Sequence, residues 1–247
     1  MKLPTYLFKY QRVNLDSLVG LLARTVYFGS PKNFNDPYDC AITAIVDELS
    51  DIGLNTVLSE LGATHIASIE PNIRNMLSER ARQTLREVSE EFVQKRGVTC
   101  FSETNENLLM WSHYADSGSG MCLKFDTRDE MFRKVHPVEY VDAFPAIAAD
   151  ELLAEKNYTR LFELYCNKSK DWSYEREWRA FHGIAGTKYG YESASLAAVF
   201  LGPRITNEMA NLVATMLKGY DQPVPLYISK RSSTQFKMEF EPVQYRG

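Results

Sequence analysis

The chain has 247 residues, of which 45% are hydrophobic, 12% aromatic and 24% charged, with a formal net charge of -4. This apolar content is that of an ordinary folded protein, so it excludes global disorder. The length suffices for a buried core, and we expect a single domain over residues 1–247. The mildly acidic balance disfavours binding to a nucleic-acid duplex, which needs a basic surface.

The start of the chain does not resemble a signal peptide, because Pro4 interrupts it and no apolar core segment follows. No run of about 18 apolar residues is present to span a bilayer. We therefore expect a soluble, cytoplasmic protein with no membrane partner, either a monomer or a homodimer.

The metal-binding residue types are widely scattered, at Cys40, Cys100, Cys122, Cys166, His65, His113, His136 and His182. Zinc sites and redox dithiols need short, paired spacings of such residues. The pattern predicts reduced, mostly buried thiols and no metal.

The first forty residues predict strand, helix, strand and loop. Residues 6–10 are short and aromatic, which favours a strand. Asn14 is a suitable N-cap for a helix with apolar residues at helical spacing, namely Leu15, Leu18, Val19 and Leu22. A second strand is predicted at residues 26–29, and residues 30–39 are rich in turn formers.

Residues 48–97 predict two helices that separate near Pro71. The second helix carries an apolar stripe, formed by Leu77, Ala81, Leu85, Val88 and Phe92. Gly97 is predicted to be its C-cap. We interpret this stretch as a helical insertion with a structural role.

Later strands are predicted at residues 98–102, 121–125, 135–141, 175–181, 197–201, 225–230 and 236–241. Helices are predicted at residues 146–167 and 207–218. About eight short, clustered strands do not fit a doubly wound parallel sheet. The sequence therefore predicts an α+β fold with a mostly antiparallel sheet core and flanking helices.

Three polar-aromatic segments, at residues 30–40, 101–116 and 172–179, are the candidate functional surface, and we expect them to converge. In the first, Asn and Asp side chains before proline are typical of turns that bond their own backbone. The alternative is that Ser30 and Asn35 face a ligand.

The second segment combines Ser102 and Glu103 with Trp111, His113 and Tyr114. On a helix Trp111 and Tyr114 share a face, where they are either core residues or an aromatic shelf for a flat ring. His113 is either a partner of a buried carbonyl or part of a site.

The third segment places Glu175, Glu177 and Arg179 on one side of an extended strand. One interpretation is an exposed edge with a surface ion pair, which contributes little. The other is a carboxylate held ionised by Arg179 beside an electrophilic carbon.

The chain resembles a bacterial family of unknown function, catalogued as domain of unknown function 2971. The resemblance spans most of the chain and rests on the motifs Leu7-Phe8-Lys9-Tyr10, Tyr27-Phe28, Ser30-Pro31, Phe34-Asn35-Asp36-Pro37-Tyr38-Asp39, Cys100-Phe101-Ser102-Glu103, Leu109-Met110-Trp111-Ser112-His113-Tyr114-Ala115-Asp116 and Tyr174-Glu175-Arg176-Glu177-Trp178-Arg179. The family brings no established reaction.

More remotely, the layout is similar to ADP-ribosyltransferases, particularly the compact toxin type that modifies nucleic acid. Glu175-Arg176-Glu177 is similar to their Glu-x-Glu pair, whereas the His or Arg usual on their first strand is absent here. The resemblance implies NAD as substrate, without a metal. Glu177 would bond the ribose 2-hydroxyl as positive charge develops on the sugar.

The same resemblance implies roles for the other candidates. Trp111 or Tyr114 would stack on nicotinamide, and Ser30 or Ser102 would fix the ribose. The missing residue of the first strand would be replaced by a nearby side chain, namely Lys9, Tyr10 or Arg12, with Lys9 and Arg12 pairing with the pyrophosphate.

Three functions follow as hypotheses. The first is transfer of ADP-ribose to a macromolecule, nucleic acid or protein, by a toxin or phage-defence effector. The second is a non-catalytic module that binds a nucleotide or peptide in the same cleft. The third is a metal-free nuclease or nucleotide hydrolase that uses Glu103, His113 and Glu177 as acid and base.

Overall fold

A computed structural model describes residues 2–40, 45–47, 50–60, 62, 71–153 and 163–245. The chain divides into two compact units. The first unit comprises Met1–Gly29, Gly97–Val138 and Asp171–Gly247, and the second comprises Ser30–Arg96 and Glu139–Lys170. The single domain with a helical insertion remains a prediction.

The strands, in chain order, are β1 (Tyr6–Gln11), β2 (Thr25–Phe28), β3 (Ile45–Asp47), β4 (Gly97–Ser102), β5 (Met121–Asp126), β6 (Val135–Pro137), β7 (Glu139–Val141), β8 (Ala146–Ala148), β9 (Asn167–Ser169), β10 (Glu177–His182), β11 (Thr187–Gly190), β12 (Leu196–Leu201), β13 (Leu226–Arg231) and β14 (Met238–Pro242). The α-helices are α1 (Leu15–Leu22), α2 (Asp51–Glu60), α3 (Pro71–Lys95), α4 (Leu108–Tyr114), α5 (Ala149–Leu153) and α6 (Asn207–Leu217).

The first unit is built on an eight-stranded sheet of order β14-β13-β12-β5-β1-β4-β10-β6. Neighbouring strands are antiparallel except β12 and β13, which are parallel. In addition, β2 and β11 form a two-stranded antiparallel sheet. The predicted α+β fold with a mostly antiparallel sheet is confirmed.

Alternation along β1 separates the two cores of this unit, because successive side chains of a strand point to opposite faces. Leu7 belongs to a core that includes Leu21 of α1 and Val213 of α6. Tyr10 belongs to a second core with Trp111 of α4. Both faces of the sheet are therefore covered by helices.

Local signals explain how α1 begins. Asn14 caps it as predicted: its side chain accepts from Ser17 N, and the Ser17 hydroxyl accepts from Asn14 N. The buried residue of this helix is Leu21, however. Three of the four predicted periodic residues are exposed, namely Leu15, Val19 and Leu22.

Gly97 is not a C-cap, which corrects the prediction. It is the first residue of β4, and its φ is not positive. A Cβ at this position would lie 2.8 Å from Phe28 Cβ and 2.9 Å from the carbonyl oxygen of Ile184. Glycine is needed here because backbone and side chain approach closely.

Two other predicted elements differ in the structure. The single strand expected at residues 135–141 is two strands, β6 and β7, which belong to different sheets. The long helix expected at residues 146–167 begins instead with β8, continues as α5, and reaches β9 at its end. Its central residues, 154–162, lie outside the described part of the chain.

The second unit contains α2, α3 and α5 with two parallel strand pairs, β3 with β8 and β7 with β9. The predicted stripe on α3 is confirmed: Ala81 and Leu85 are buried in this unit's core, Leu77 and Val88 pack against it, and Phe92 is also buried. A buried ion pair joins Lys168 of β9 to Asp39, with Nζ and Oδ2 3.1 Å apart. No helix among the described residues is long and apolar enough to cross a membrane.

Replacing Gly202 by alanine is expected to lower the free energy of unfolding by about 1–3 kcal/mol, because overpacking forces the backbone to shift. A Cβ there would lie 2.2 Å from the Gly118 carbonyl oxygen. Urea unfolding would measure the change. Gly190→Ala is the control, since the nearest atom to its Cβ would be 4.0 Å away. Equal unfolding midpoints for both variants would contradict this packing argument.

Candidate functional site

The candidate site is assembled at the ends of two inner strands, β4 and β10. Ser102 lies opposite Glu177 in the antiparallel register of these strands. The chain reaches β10 through a 3-10 turn, Lys170–Glu175, and then Arg176, whose φ of 45° is left-handed. Glu103 N donates to the Arg176 carbonyl at 3.1 Å, which holds this turn against the end of β4.

Glu177 and Arg179 form a buried, bidentate ion pair. Arg179 Nε donates to Glu177 Oε1 at 2.7 Å, and Arg179 Nη2 donates to Oε2 at 2.9 Å. The side chains are 4% and 0% exposed. The interpretation of an exposed edge with a surface ion pair is therefore wrong. β10 lies between β4 and β6, and its first four residues are all buried.

Glu175 is buried beside Glu177 in sequence but does not lie on the same strand. It ends the 3-10 turn, so the predicted alternation of Glu175, Glu177 and Arg179 along one strand is wrong. The Tyr114 hydroxyl donates to Glu175 Oε1 at 2.5 Å, and the Ser102 hydroxyl donates to the Glu175 carbonyl oxygen at 2.6 Å. The two carboxylates are thus held by separate donors, on either side of the left-handed Arg176.

A cluster of partly accessible rings adjoins Glu175. His113 is exposed, and Tyr114, Trp172 and Tyr174 are half-buried. The His113 ring centroid lies 6.2 Å from those of Tyr114 and Trp172, and 6.4 Å from that of Tyr174. Aromatic pairs prefer such edge-on or offset arrangements, and a further flat ring would contact this cluster in the same way. His113 belongs to this cluster rather than to the core.

Trp111 and Tyr10 are core residues, which corrects the prediction that they contact a bound cofactor. Trp111 is 1% exposed, and its ring meets that of Tyr10 edge-on at 5.3 Å. Trp111 Nε1 donates to the Asn105 carbonyl, and the Tyr10 hydroxyl donates to the Thr104 carbonyl. Burial raises the pKa of Tyr10. Neither ring has a free face to stack on nicotinamide.

Lys9 is engaged inside the sheet rather than presented to a phosphate. Its Nζ donates to Thr99 Oγ1 at 2.7 Å and to the Cys100 carbonyl at 3.3 Å. Burial lowers the pKa of Lys9, because the charged amine loses its hydration. Arg12, in contrast, lies just after β1 and is exposed. The predicted pairing of Lys9 with pyrophosphate is therefore not supported.

Glu103 is half-buried and also has a partner. Its Oε1 accepts a hydrogen bond from Trp178 Nε1 at 2.8 Å. An acid or base must reach the proton that it transfers, and Oε2, which takes no part in this bond, would have to do so. The bond identifies Glu103 as a residue that anchors Trp178.

Ser30 and Asn35 belong to the second unit. The Ser30 hydroxyl donates to the Val93 carbonyl at 3.1 Å and accepts from Lys32 N, so it caps the short turn Pro31–Asn33. Asn35 is exposed. The structural interpretation of this loop is supported at Asp36, which precedes Pro37 and whose Oδ1 accepts from Tyr38 N at 2.9 Å. Convergence of residues 30–40 with the other two segments remains a prediction.

Sequence reasoning missed Asn107, which positions the aromatic cluster. Its side-chain oxygen accepts from Leu109 N and Met110 N at the start of α4, while its Nδ2 donates to the Tyr174 carbonyl. An Asn directly before an apolar helical run is a recognised N-cap signal and could have been identified. Its second bond depends on tertiary structure.

No cluster of three or more His, Cys, Asp or Glu that could hold a metal is found among the residues that the structure describes. The first unit is an α+β structure with a mostly antiparallel sheet, and a buried acid-arginine pair lies at the start of its strand β10.

The family described as "Protein of unknown function (DUF2971)" has a model that matches residues 110–180. The resemblance drawn from sequence motifs is confirmed over that segment, which contains most of α4 and both Glu175 and Glu177. No curated protein and no solved structure matches the chain.

Proposed function

We propose that this chain cleaves the nicotinamide-ribose bond of NAD and transfers ADP-ribose to a macromolecule, either nucleic acid or protein. The observation that carries the proposal is the pair of buried carboxylates, Glu175 and Glu177, held by fixed donors next to a partly accessible aromatic cluster. An oriented carboxylate next to a ring-binding surface suits a reaction in which positive charge develops on a sugar.

The hydrogen-bond partners of Glu175 and Glu177 indicate different roles for the two carboxylates. Glu175 is bonded to Tyr114, which is half-buried and borders the aromatic cluster, whereas the partner of Glu177 is the fully buried Arg179. We assign to Glu175 the contact with the ribose 2-hydroxyl. Glu177 is then a positioning residue, which with Arg179 fixes the start of β10. This reverses the roles that the resemblance alone implies.

The reaction breaks the bond between ribose C1′ and the nicotinamide nitrogen, whose electron pair leaves with nicotinamide. The acceptor then bonds C1′ and loses its proton. The nicotinamide ring would stack on Trp172 or Tyr174, which are half-buried, in place of the buried Trp111. The negative charge of Glu175 would stabilise the cationic sugar between the two steps.

The expected result is that Glu175→Gln reduces nicotinamide release from NAD by about 100-fold, because removal of one fixed electrostatic contact to a transition state has effects of this size. Release would be measured with a bacterial lysate as a mixed source of acceptors. Glu241→Gln, at an exposed residue of β14, is the control and should release nicotinamide like the unmodified protein.

Either of two results would contradict the proposal: no release by the unmodified protein, or undiminished release by folded Glu175→Gln.

We further propose that the chain is a toxin or phage-defence effector. Its expression is then expected to slow bacterial growth, whereas expression of the Glu175→Gln variant is not.

A second candidate is a non-catalytic module that binds a nucleotide or peptide at the same cluster. It is favoured by one observation: Glu175, Glu177, Ser102 and Glu103 all take part in hydrogen bonds within the protein. Trp172 is half-buried, whereas the other two tryptophans are buried, so ligand-dependent fluorescence would report on this cluster. Quenching that Trp172→Phe abolishes, without any nicotinamide release, would favour the module.

A further inference from the structure

A cavity of about 460 Å³ lies in the first unit, bordered by α4, the turn after it, the loop after β12 and the strands β13 and β14. This volume is within the range of about 300–1,000 Å³ that small-molecule sites occupy. Its polar lining residues are Ser112, Ser117, Arg204 and Arg231, and its apolar ones include Leu108 and Met238. None of the lining residues that the structure describes is a carboxylate.

The charge of the cavity is opposite to that of the whole chain, which has a formal net charge of -4. Arg204 and Arg231 come from different elements, the β12-α6 loop and the end of β13, and both are exposed. Ion pairs of arginine among the described residues use other side chains, such as Arg24 and Arg133. Two guanidinium groups in one concave site, with no carboxylate among the described lining residues, create a local field that attracts anions.

The walls of the cavity are held by the backbone. Asp116, Ser117 and Gly118 are three consecutive residues with positive φ, of 51°, 53° and 86°. The Gly118 carbonyl accepts from Arg204 N at 2.9 Å, which joins this turn to the β12-α6 loop. The two segments that carry Ser117 and Arg204 are thus tied together without a ligand, as is usual for preformed small-molecule sites.

The lining chemistry indicates what such a site would hold. Guanidinium groups bind phosphate oxygens through paired N–H donors, and serine hydroxyls add further donors. Leu108 and Met238 provide an apolar wall for an organic group attached to the phosphate. A small phosphate ester matches this combination of donors, charge and apolar surface.

We propose that this cavity binds a small organic phosphate of the nucleoside monophosphate class, with the phosphate on Arg204 and Arg231. The proposal goes beyond NAD cleavage, because it assigns a separate site whose polar residues have no part in that reaction. Ser112 and Ser117 orient the phosphate, and the organic group lies against Leu108 and Met238.

Isothermal titration calorimetry of the full chain with adenosine monophosphate, adenosine and inorganic phosphate tests the proposal. Adenosine monophosphate is expected to bind most tightly. Arg204→Gln and Arg231→Gln should each weaken that binding by about tenfold, as expected for the loss of one charge-assisted contact. Arg133→Gln is the matched control, since it removes an exposed arginine of the same unit that pairs with Glu130.

The proposal would be overturned if adenosine or inorganic phosphate bound as tightly as adenosine monophosphate. It would also be overturned if both arginine variants bound adenosine monophosphate as tightly as the unmodified protein. Glu175→Gln should retain full binding. Adenosine monophosphate is also one half of NAD, so the arginine variants separate this cavity from the site of NAD cleavage: Arg204→Gln and Arg231→Gln should weaken the binding of adenosine monophosphate and leave nicotinamide release unchanged.

Discussion

Replacing Glu177 by glutamine is expected to lower the free energy of unfolding by about 3–5 kcal/mol, because breaking a buried ion pair leaves a charge that remains buried. Arg179 is fully buried, and both of its bonds to Glu177 are short. Glutamine keeps the size of the side chain but presents only one acceptor oxygen and no charge to the guanidinium. Urea unfolding followed by circular dichroism would measure the loss.

The double variant Glu177→Leu/Arg179→Met is expected to recover most of that stability, since apolar replacement of a buried pair is often neutral or stabilising. Glu241→Gln is the control, because Glu241 pairs with Lys230 on the surface of the same sheet, where both side chains are more than half exposed. It should change stability by no more than about 1 kcal/mol. A similarly small loss in Glu177→Gln would show that the pair contributes little.

The second large effect is expected in the other unit, from Lys168→Met. Lys168 and Asp39 are each 3% exposed in their ion pair, so the substitution leaves a buried carboxylate without its ammonium partner. We expect a loss of about 3–5 kcal/mol in the free energy of unfolding, for the same reason as at Glu177. The unit has its own core, so hydrogen exchange of α3 and β9 would report the loss directly.

Lys170→Met is a closely matched control for that experiment. Lys170 lies two residues further along the chain and pairs with Asp142, but the two side chains are 57% and 73% exposed. The same substitution there should cost no more than about 1 kcal/mol, because water screens an exposed pair. If both lysine variants lose the same stability, burial is not what makes the Lys168 pair important.

Much of the fold could be predicted from local patterns. The N-cap at Asn14, the apolar stripe of α3, and most strands of the large sheet are where the sequence places them. These features depend on residues close together in the chain, whose propensities and periodicity act over a few positions. The prediction failed at residues 135–141 and 146–167, where neighbouring segments join different sheets.

The candidate site was predicted only in part. The sequence places Tyr114 in one candidate segment and Glu175, Glu177 and Arg179 in another, and the structure brings these residues together at the ends of β4 and β10. The sequence could not decide that Trp111 and Tyr10 are core residues, or that Lys9 bonds within the sheet. Aromatic and amphipathic side chains of this kind occur both in cores and in binding sites, and only tertiary packing decides which of them reach water.

The sequence by itself determined the fold class, the principal helices and strands, and the short motifs that resemble a family of unknown function, because each of these depends on local spacing. Tertiary structure alone decided that β10 is an inner strand, that its acid and arginine are buried as a pair, and that Arg204 and Arg231 share a cavity. These properties arise from pairing between distant segments. Burial and charge environment are therefore established only when the chain has folded.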